Sequence, residues 1–158
     1  MWMRRQIEVL IEKEEYENAY MEIERYEKLR PKDADLAVYK FLYHVYTGEY
    51  EAALEYARKA VKLMPYSADV HYNYATALQL FERWEEAYEQ LGIAWQLAKC
   101  KNPCKLDTRE LEQQMKETAK QIAIRHVSIS ADHIEWVQNW AKYLKFKENI
   151  GFDILSSI

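Results

Sequence analysis

Cys100 and Cys104, in the stretch AKCKNPCK, are the only two cysteines of the chain, and their spacing could bring two thiols onto one metal or into one redox pair. A structural zinc site needs four ligands, however, and no second pair follows; His126 and His133 are the only later candidates. Two free thiols in a reducing compartment are therefore expected, and no metal. The four histidines fall in three separated regions. Lys40 and His44 stand four residues apart and share a helix face, where a solvated edge is the expected role. Carboxylate pairs such as Glu14 with Glu15 and Glu85 with Glu86 fall in turns or first turns of helices, where negative charge meets the helix dipole favourably. With 3 glycines in all, no glycine-rich phosphate loop can be built. No nucleophile with its base, no ligand quartet and no nucleotide cradle emerges, so a non-enzymatic protein without catalytic residues, metal or cofactor is expected.

The composition points to the elements that must carry whatever function remains. The chain has 158 residues, 49% of them apolar, which is enough to bury a real core in one domain or in one domain with an appendage. Few Gly and Pro, with abundant Ala, Leu, Glu, Lys and Arg, favour helix. The 13 Tyr and 5 Trp combine a large apolar body with a polar tip and suit helix packing and contact surfaces alike. A net charge of -4, spread over interleaved acids and bases, gives no basic field, and the local clusters at Lys99 to Lys105 and Lys142 to Lys147 are short. Nucleic acid is not an expected partner. The start, MWMRRQIEVLIEKEEY, carries charges every few residues, and the uncharged run from Val70 to Phe81 is too short to span a bilayer. A soluble, cytoplasmic protein with no membrane partner is expected.

Sliding the chain against itself by 34 residues reveals its organisation. EYENAYMEIERYEKLRP at Glu15 lies over EYEAALEYARKAVKLMP at Glu49, which lies over RWEEAYEQLGIAWQLAK at Arg83. Tyr16, Tyr50 and Trp84 coincide, as do Ala19, Ala53 and Ala87, and Leu29, Leu63 and Leu97. A fixed period of this size marks a stacked helical repeat. Each copy reads as two antiparallel helices, the first over 2–12, 34–46 and 68–81 and the second over 16–29, 50–63 and 84–99. Small residues, Ala19, Ala53, Ala87, Ala60 and Ala94, occupy positions where backbones approach closely, and the three hairpins are expected to nest so that Tyr16, Tyr50 and Trp84 are hidden beside their alanines. Gly48 offers a permissive backbone at the reversal, but Glu14 and Glu82 hold the equivalent places, so no strict need for positive φ is expected. Pro31 and Pro65 end the second helices. The third copy has Lys99 there, and its helix is expected to run on until Asn102 and Pro103.

The 34-residue period, the aromatics, the alanines three residues on and the two prolines resemble the tetratricopeptide repeat family, over residues 1–99. The third copy matches best, with His71, Tyr74, Ala75 and Leu78 on its first helix and Ala87, Leu91 and Ala94 on its second. The resemblance implies an all-α fold, a right-handed superhelix of antiparallel helix pairs forming a tetratricopeptide-like solenoid with C-terminal capping helices. Its domains would be three repeats over 1–100, at about 1–33, 34–67 and 68–100, then 101–158 as two capping helices and an apolar tail. In the second copy Lys40 and His44 stand where the family buries apolar side chains, while Val38, Phe41, Leu42 and Val45 form a stripe one residue out of step. Either that helix is rotated after a turn one residue shorter, or its inner surface is unusually apolar.

Beyond Asn102 the period is lost. LDTRELEQQMKETAKQIAIRH opens with Asp107 as N-cap and Glu110 three residues on, a capping-box spacing, and continues with a narrow stripe of Leu111, Met115, Ala119 and Ile122, suited to docking on the last repeat. A further helix is expected from Ser130, with Ile134, Val137, Ala141 and Leu144 on one stripe and Trp136, Trp140 and Tyr143 on another. Two stripes imply two contacts, one of which could be self-association through Trp136, Trp140 and the tail GFDILSSI. That apolar ending is expected of a piece of a longer protein or of a tail docked on another subunit.

The resemblance also implies where a partner would sit, because in that family the first helix of each pair lines a concave groove for an extended peptide or partner helix. Carried over by position, the groove comprises Arg4, Glu8, Ile11, Val38, Leu42, Val45, Tyr46, Tyr72, Thr76, Gln79 and Leu80. A subset of the family clamps a terminal carboxylate with Lys, Asn and Arg; the corresponding places hold Arg4, Glu8, Tyr39, Asp69 and Asn73, so that clamp is mostly absent. A groove of Val, Leu and Tyr implies a protein or peptide ligand with apolar or aromatic anchors. If the second copy is rotated, Val38, Leu42 and Val45 are core instead. Two alternatives stand beside this interaction module: a bacterial secretion-type chaperone, against which the start of the chain directly at the first repeat argues, and an accessory N-terminal domain of a larger regulator or enzyme.

Overall fold

The computed structural model describes residues 2–100 and 106–129, with side chains of the last helix through residue 126. Among them are seven α-helices and no strand: α1 (Trp2–Glu12), α2 (Tyr16–Leu29), α3 (Asp35–Tyr46), α4 (Tyr50–Leu63), α5 (Ala68–Leu80), α6 (Trp84–Lys99) and α7 (Thr108–Ile129). The chain divides into two compact units, one ending at Pro65 and one beginning at Tyr66. The expected helix from Ser130, with Trp136, Trp140 and the apolar tail, lies outside the described residues, as do Cys104 and Pro103. No described helix is long and apolar enough to cross a membrane.

Each first helix of a pair ends in the same turn, and here the structure corrects a sequence expectation. Glu14, Gly48 and Glu82 all have positive φ, at 61°, 79° and 55°. In the first turn Glu14 N–H donates to Ile11 O (3.0 Å) and Glu15 N–H to Leu10 O (2.9 Å). Gly48 with Val45, Glu49 with His44, Glu82 with Gln79 and Arg83 with Leu78 repeat that pair of bonds at 34-residue intervals. This is the Schellman ending, whose left-handed residue is required by the bonds around it rather than by residue type. Two glutamates therefore hold a conformation that costs a residue with a Cβ about 1–2 kcal/mol. Glu14→Gly and Glu82→Gly are each expected to stabilise the protein by about 0.5–1 kcal/mol after glycine's greater chain entropy is deducted. Gly48→Ala is expected to destabilise it although nothing stands within 4 Å of an added Cβ. Urea unfolding midpoints of the three variants check this, and a glycine at 14 or 82 that lowers the midpoint counts against it.

The second helices end where the sequence places their stops. Arg30 and Met64, each followed by proline, leave the helical region with φ of -140° and -132°. Without a proline α6 nevertheless ends at Lys99, not near Asn102: Cys100 caps it, its N–H donating to Gln96 O at 3.2 Å.

In the first unit, α1, α2 and α3 share one core: Ile7 and Ile11, then Ala19, Ile23 and Tyr26, then Leu36 and Tyr39, with α4 packed along α3. In the second, α6 packs between α5 and α7, and Ala75, Tyr88, Leu91 and Ala94 meet the stripe Leu111, Met115, Ala119 and Ile122. Ala19, Ala53 and Ala87 have no exposed surface, as helices in close approach require. Their companion aromatics are not equally hidden. Trp84 packs against the second core and Tyr16 is half-buried, but Tyr50 is 42% exposed, which corrects the expectation that all three are covered.

The phase of α3 is resolved by comparison with α5. Leu36 and Val70, Ala37 and His71, and Phe41 and Ala75 are buried at matching positions, so α3 is not rotated. Lys40 and His44 thus occupy inward places and are not a solvated edge. Lys40 Nζ pairs with Glu27 at 2.8 Å and lies 5.5 Å from the centre of the Tyr56 ring, while His44 stacks on that ring with centroids 5.3 Å apart.

Candidate functional site

The resemblance places the groove on the first helix of each pair, and the structure gives its residues different surroundings. On α1, Ile11 belongs to the core, while Glu8 is half-buried. Arg4 is engaged within the fold: Nη2 reaches Asp33 at 2.8 Å, Nη1 reaches Asp35, and Nε donates to the Tyr26 hydroxyl at 3.1 Å. Tyr26 in turn donates its proton to Asp33, whose other oxygen accepts the Asp35 amide at 3.0 Å in a turn that leads into α3. The Tyr26 hydrogen bond, ahead of the Asp35 amide and the Arg4 charge, holds the Asp33 carboxyl below its ordinary range against the opposing effect of burial. Arg4 is held above its own range, first by the bond to Tyr26. One arginine therefore ties α1 to the end of α2 and the start of α3.

On α3, Val38, Leu42 and Val45 fall at helical spacing on one side and are half-buried, and Tyr46 beyond them is 54% exposed. Leu42 also packs against the core of the first unit. The side is apolar with one accessible aromatic.

On α5, the expected groove residues are partly taken up by α7. Gln79 Nε2 donates to Thr118 Oγ1 at 2.8 Å, and the Tyr72 hydroxyl faces Glu110 at 3.5 Å. Burial, with Glu110 second, pushes the Tyr72 phenol above its ordinary value. Tyr72 also packs on the core, and Thr76 donates to Tyr72 O at 3.1 Å within its own helix. Leu80 is 44% exposed. Glu110 turns toward Tyr72 of α5, while Asp107 alone caps α7 by accepting the Arg109 amide at 2.9 Å. The sequence signal for this cover was the polar side of α7, where Thr118 stands three residues after the stripe residue Met115; a stripe of apolar positions does not report polar contacts at its edge. Among the described residues no three His, Cys, Asp or Glu side chains gather as metal ligands, and Cys100 is exposed.

No family model matches the chain. Among curated proteins, the uncharacterized protein MJ0572 of Methanocaldococcus jannaschii is 48% identical over 42 residues, which are 27% of this chain and 49% of that protein. The chain thus spans about half the length of the curated relative it matches. Among solved structures, MamA 41-end from Desulfovibrio magneticus RS-1 aligns over 93% of this chain and 75% of its own, with a TM-score of 0.60 and 18% identity. That likeness concerns the fold alone, and with the seven described helices it shows an all-α helical repeat of the tetratricopeptide-like kind.

Proposed function

We propose that this protein is a non-enzymatic interaction module which binds a protein or peptide through apolar or aromatic anchors on the Val38, Leu42, Val45 and Tyr46 side of α3. The supporting observation is that side's half-covered aliphatic residues, next to a tyrosine that leaves 54% of its surface open. An aromatic beside desolvated apolar surface is the usual chemistry of an interface hot spot. In this reading the first hundred residues are three repeat units, and α7 belongs to a C-terminal part that covers the last of them. Arg4 serves the fold, and Tyr72 and Gln79 contribute less than position alone suggests.

Selection of displayed peptides on the whole chain, followed by binding measurements, tests the proposal. Recovered peptides are expected to share an apolar or aromatic anchor, and Tyr46→Ala is expected to weaken them by about 5- to 30-fold, the loss typical of a contact aromatic. Tyr46 is exposed enough that its removal leaves the fold intact. Peptides that bind Tyr46→Ala and Tyr46→Glu as tightly as the parent chain would remove this face from consideration.

A further inference from the structure

A cleft of about 260 Å³ opens in the first unit among α2, α3 and α4, lined by Tyr20, Glu24, Glu27, Tyr43, His44 and Tyr56 together with Lys40. Its walls are rings. His44 lies parallel to Tyr56, their planes 1° apart; Tyr43 meets His44 edge-on with centroids 5.3 Å apart; and Tyr20 tilts against Tyr43 at 5.6 Å. Lys40 already shows what such walls favour, because its ammonium sits between the Glu27 carboxylate and the Tyr56 ring. Glu27 is thereby neutralised, and Glu24 is left facing the Tyr20 hydroxyl, whose titration that carboxylate pushes upward. Two carboxylates against one ammonium give the lining an excess of negative charge next to aromatic faces. The cleft is smaller than the roughly 300–1,000 Å³ of sites for whole small-molecule ligands and suits a single side chain.

We infer that this cleft is a second recognition site, which receives an arginine side chain of a protein partner, its guanidinium set against the Tyr20 and Tyr43 rings and paired with Glu24. Arginine fits better than lysine because its planar fork can stack on a ring and present two N–H groups to a carboxylate at once. Anionic ligands are disfavoured by the sign of the lining. The site is independent of the α3 face proposed above: positions 40 and 44 are turned well away from 38, 42 and 45 at 100° per residue.

The test is a nuclear magnetic resonance titration of the whole chain with a blocked pentapeptide carrying one central arginine, run beside the same peptide with uncharged citrulline. The arginine peptide is expected to shift the Tyr20 and Tyr43 ring resonances. Glu24→Gln and Tyr20→Ala, both at exposed positions, are each expected to weaken it by about 2- to 5-fold, and citrulline should bind more weakly by a similar or larger factor. Tyr46→Ala should leave this titration unchanged, which separates a failure here from a failure of the α3 face. Equal binding of arginine and citrulline peptides, equal binding by Glu24→Gln, or ring resonances that do not move would each overturn the inference.

Discussion

Met115→Ala is expected to destabilise the protein by about 2–5 kcal/mol, the range measured when a large aliphatic side chain is cut to alanine in a packed core. Met115 has no exposed surface and lies in the middle of the α7 stripe, between Leu111 on one side and Ala119 and Ile122 on the other. These four side chains and those of α5 and α6 form one cluster, so a void at position 115 has walls on several helices and little freedom to close. The polar ties at the edge of the contact, from Trp95 Nε1 to Glu112 at 3.0 Å and from Gln79 to Thr118, persist in the variant, and hydrogen bonds of that kind contribute about 0.5–1.5 kcal/mol each. They cannot make good the lost burial. Met21 supplies the control, since it is 64% exposed on α2 and its replacement by alanine is expected to change stability by less than about 0.5 kcal/mol. Urea unfolding followed by circular dichroism decides the matter; equal midpoints for Met115→Ala and Met21→Ala would mean that α7 does not complete the core of the second unit.

How much was legible in the sequence depends on whether a feature repeats. The helix limits of α1, α2, α4 and α6 coincide with those read from the 34-residue period, because three in-register copies fix a boundary that one copy leaves loose. The closely packed alanines were legible for the same reason. The turns were misjudged by weighing residue types instead of bonds: glutamate at two places out of three argued against a left-handed residue, yet the paired turn bonds go with one at Glu14, Gly48 and Glu82 alike. Lys40 and His44 were misjudged because their partners, Glu27 and Tyr56, come from other helices, and a polar residue at an inward position looks exposed until those partners are known. The ties of Arg4 were hidden for a related reason. Position within the repeat places Arg4 on the inner face, but Asp33 and Asp35 beyond Pro31 draw it into the fold, and no spacing rule within a single helix could foresee that.

Asp33→Ala is expected to cost about 1–3 kcal/mol near neutral pH, since it leaves the almost fully buried Tyr26 without its acceptor and removes the oxygen that holds the Asp35 amide. The loss is also expected to depend on pH in a definite direction. The folded protein holds the Asp33 carboxyl below the ordinary value of 3.8, so above that value the carboxylate is present in both states and its contribution to stability is complete. As pH falls below 3.8 the unfolded chain takes up a proton that the folded protein still resists, and the contribution drains away until the folded carboxyl is protonated as well. Asp35 remains paired with Arg4 in the variant. The stability difference between the two proteins should therefore be constant from neutral pH down to about pH 5 and shrink below about pH 4. Urea titrations of both proteins across that range supply the comparison. A difference that stays flat through the acid range would show that Asp33 acts through shape alone, and a difference that widens would show that its carboxyl is held neutral in the fold.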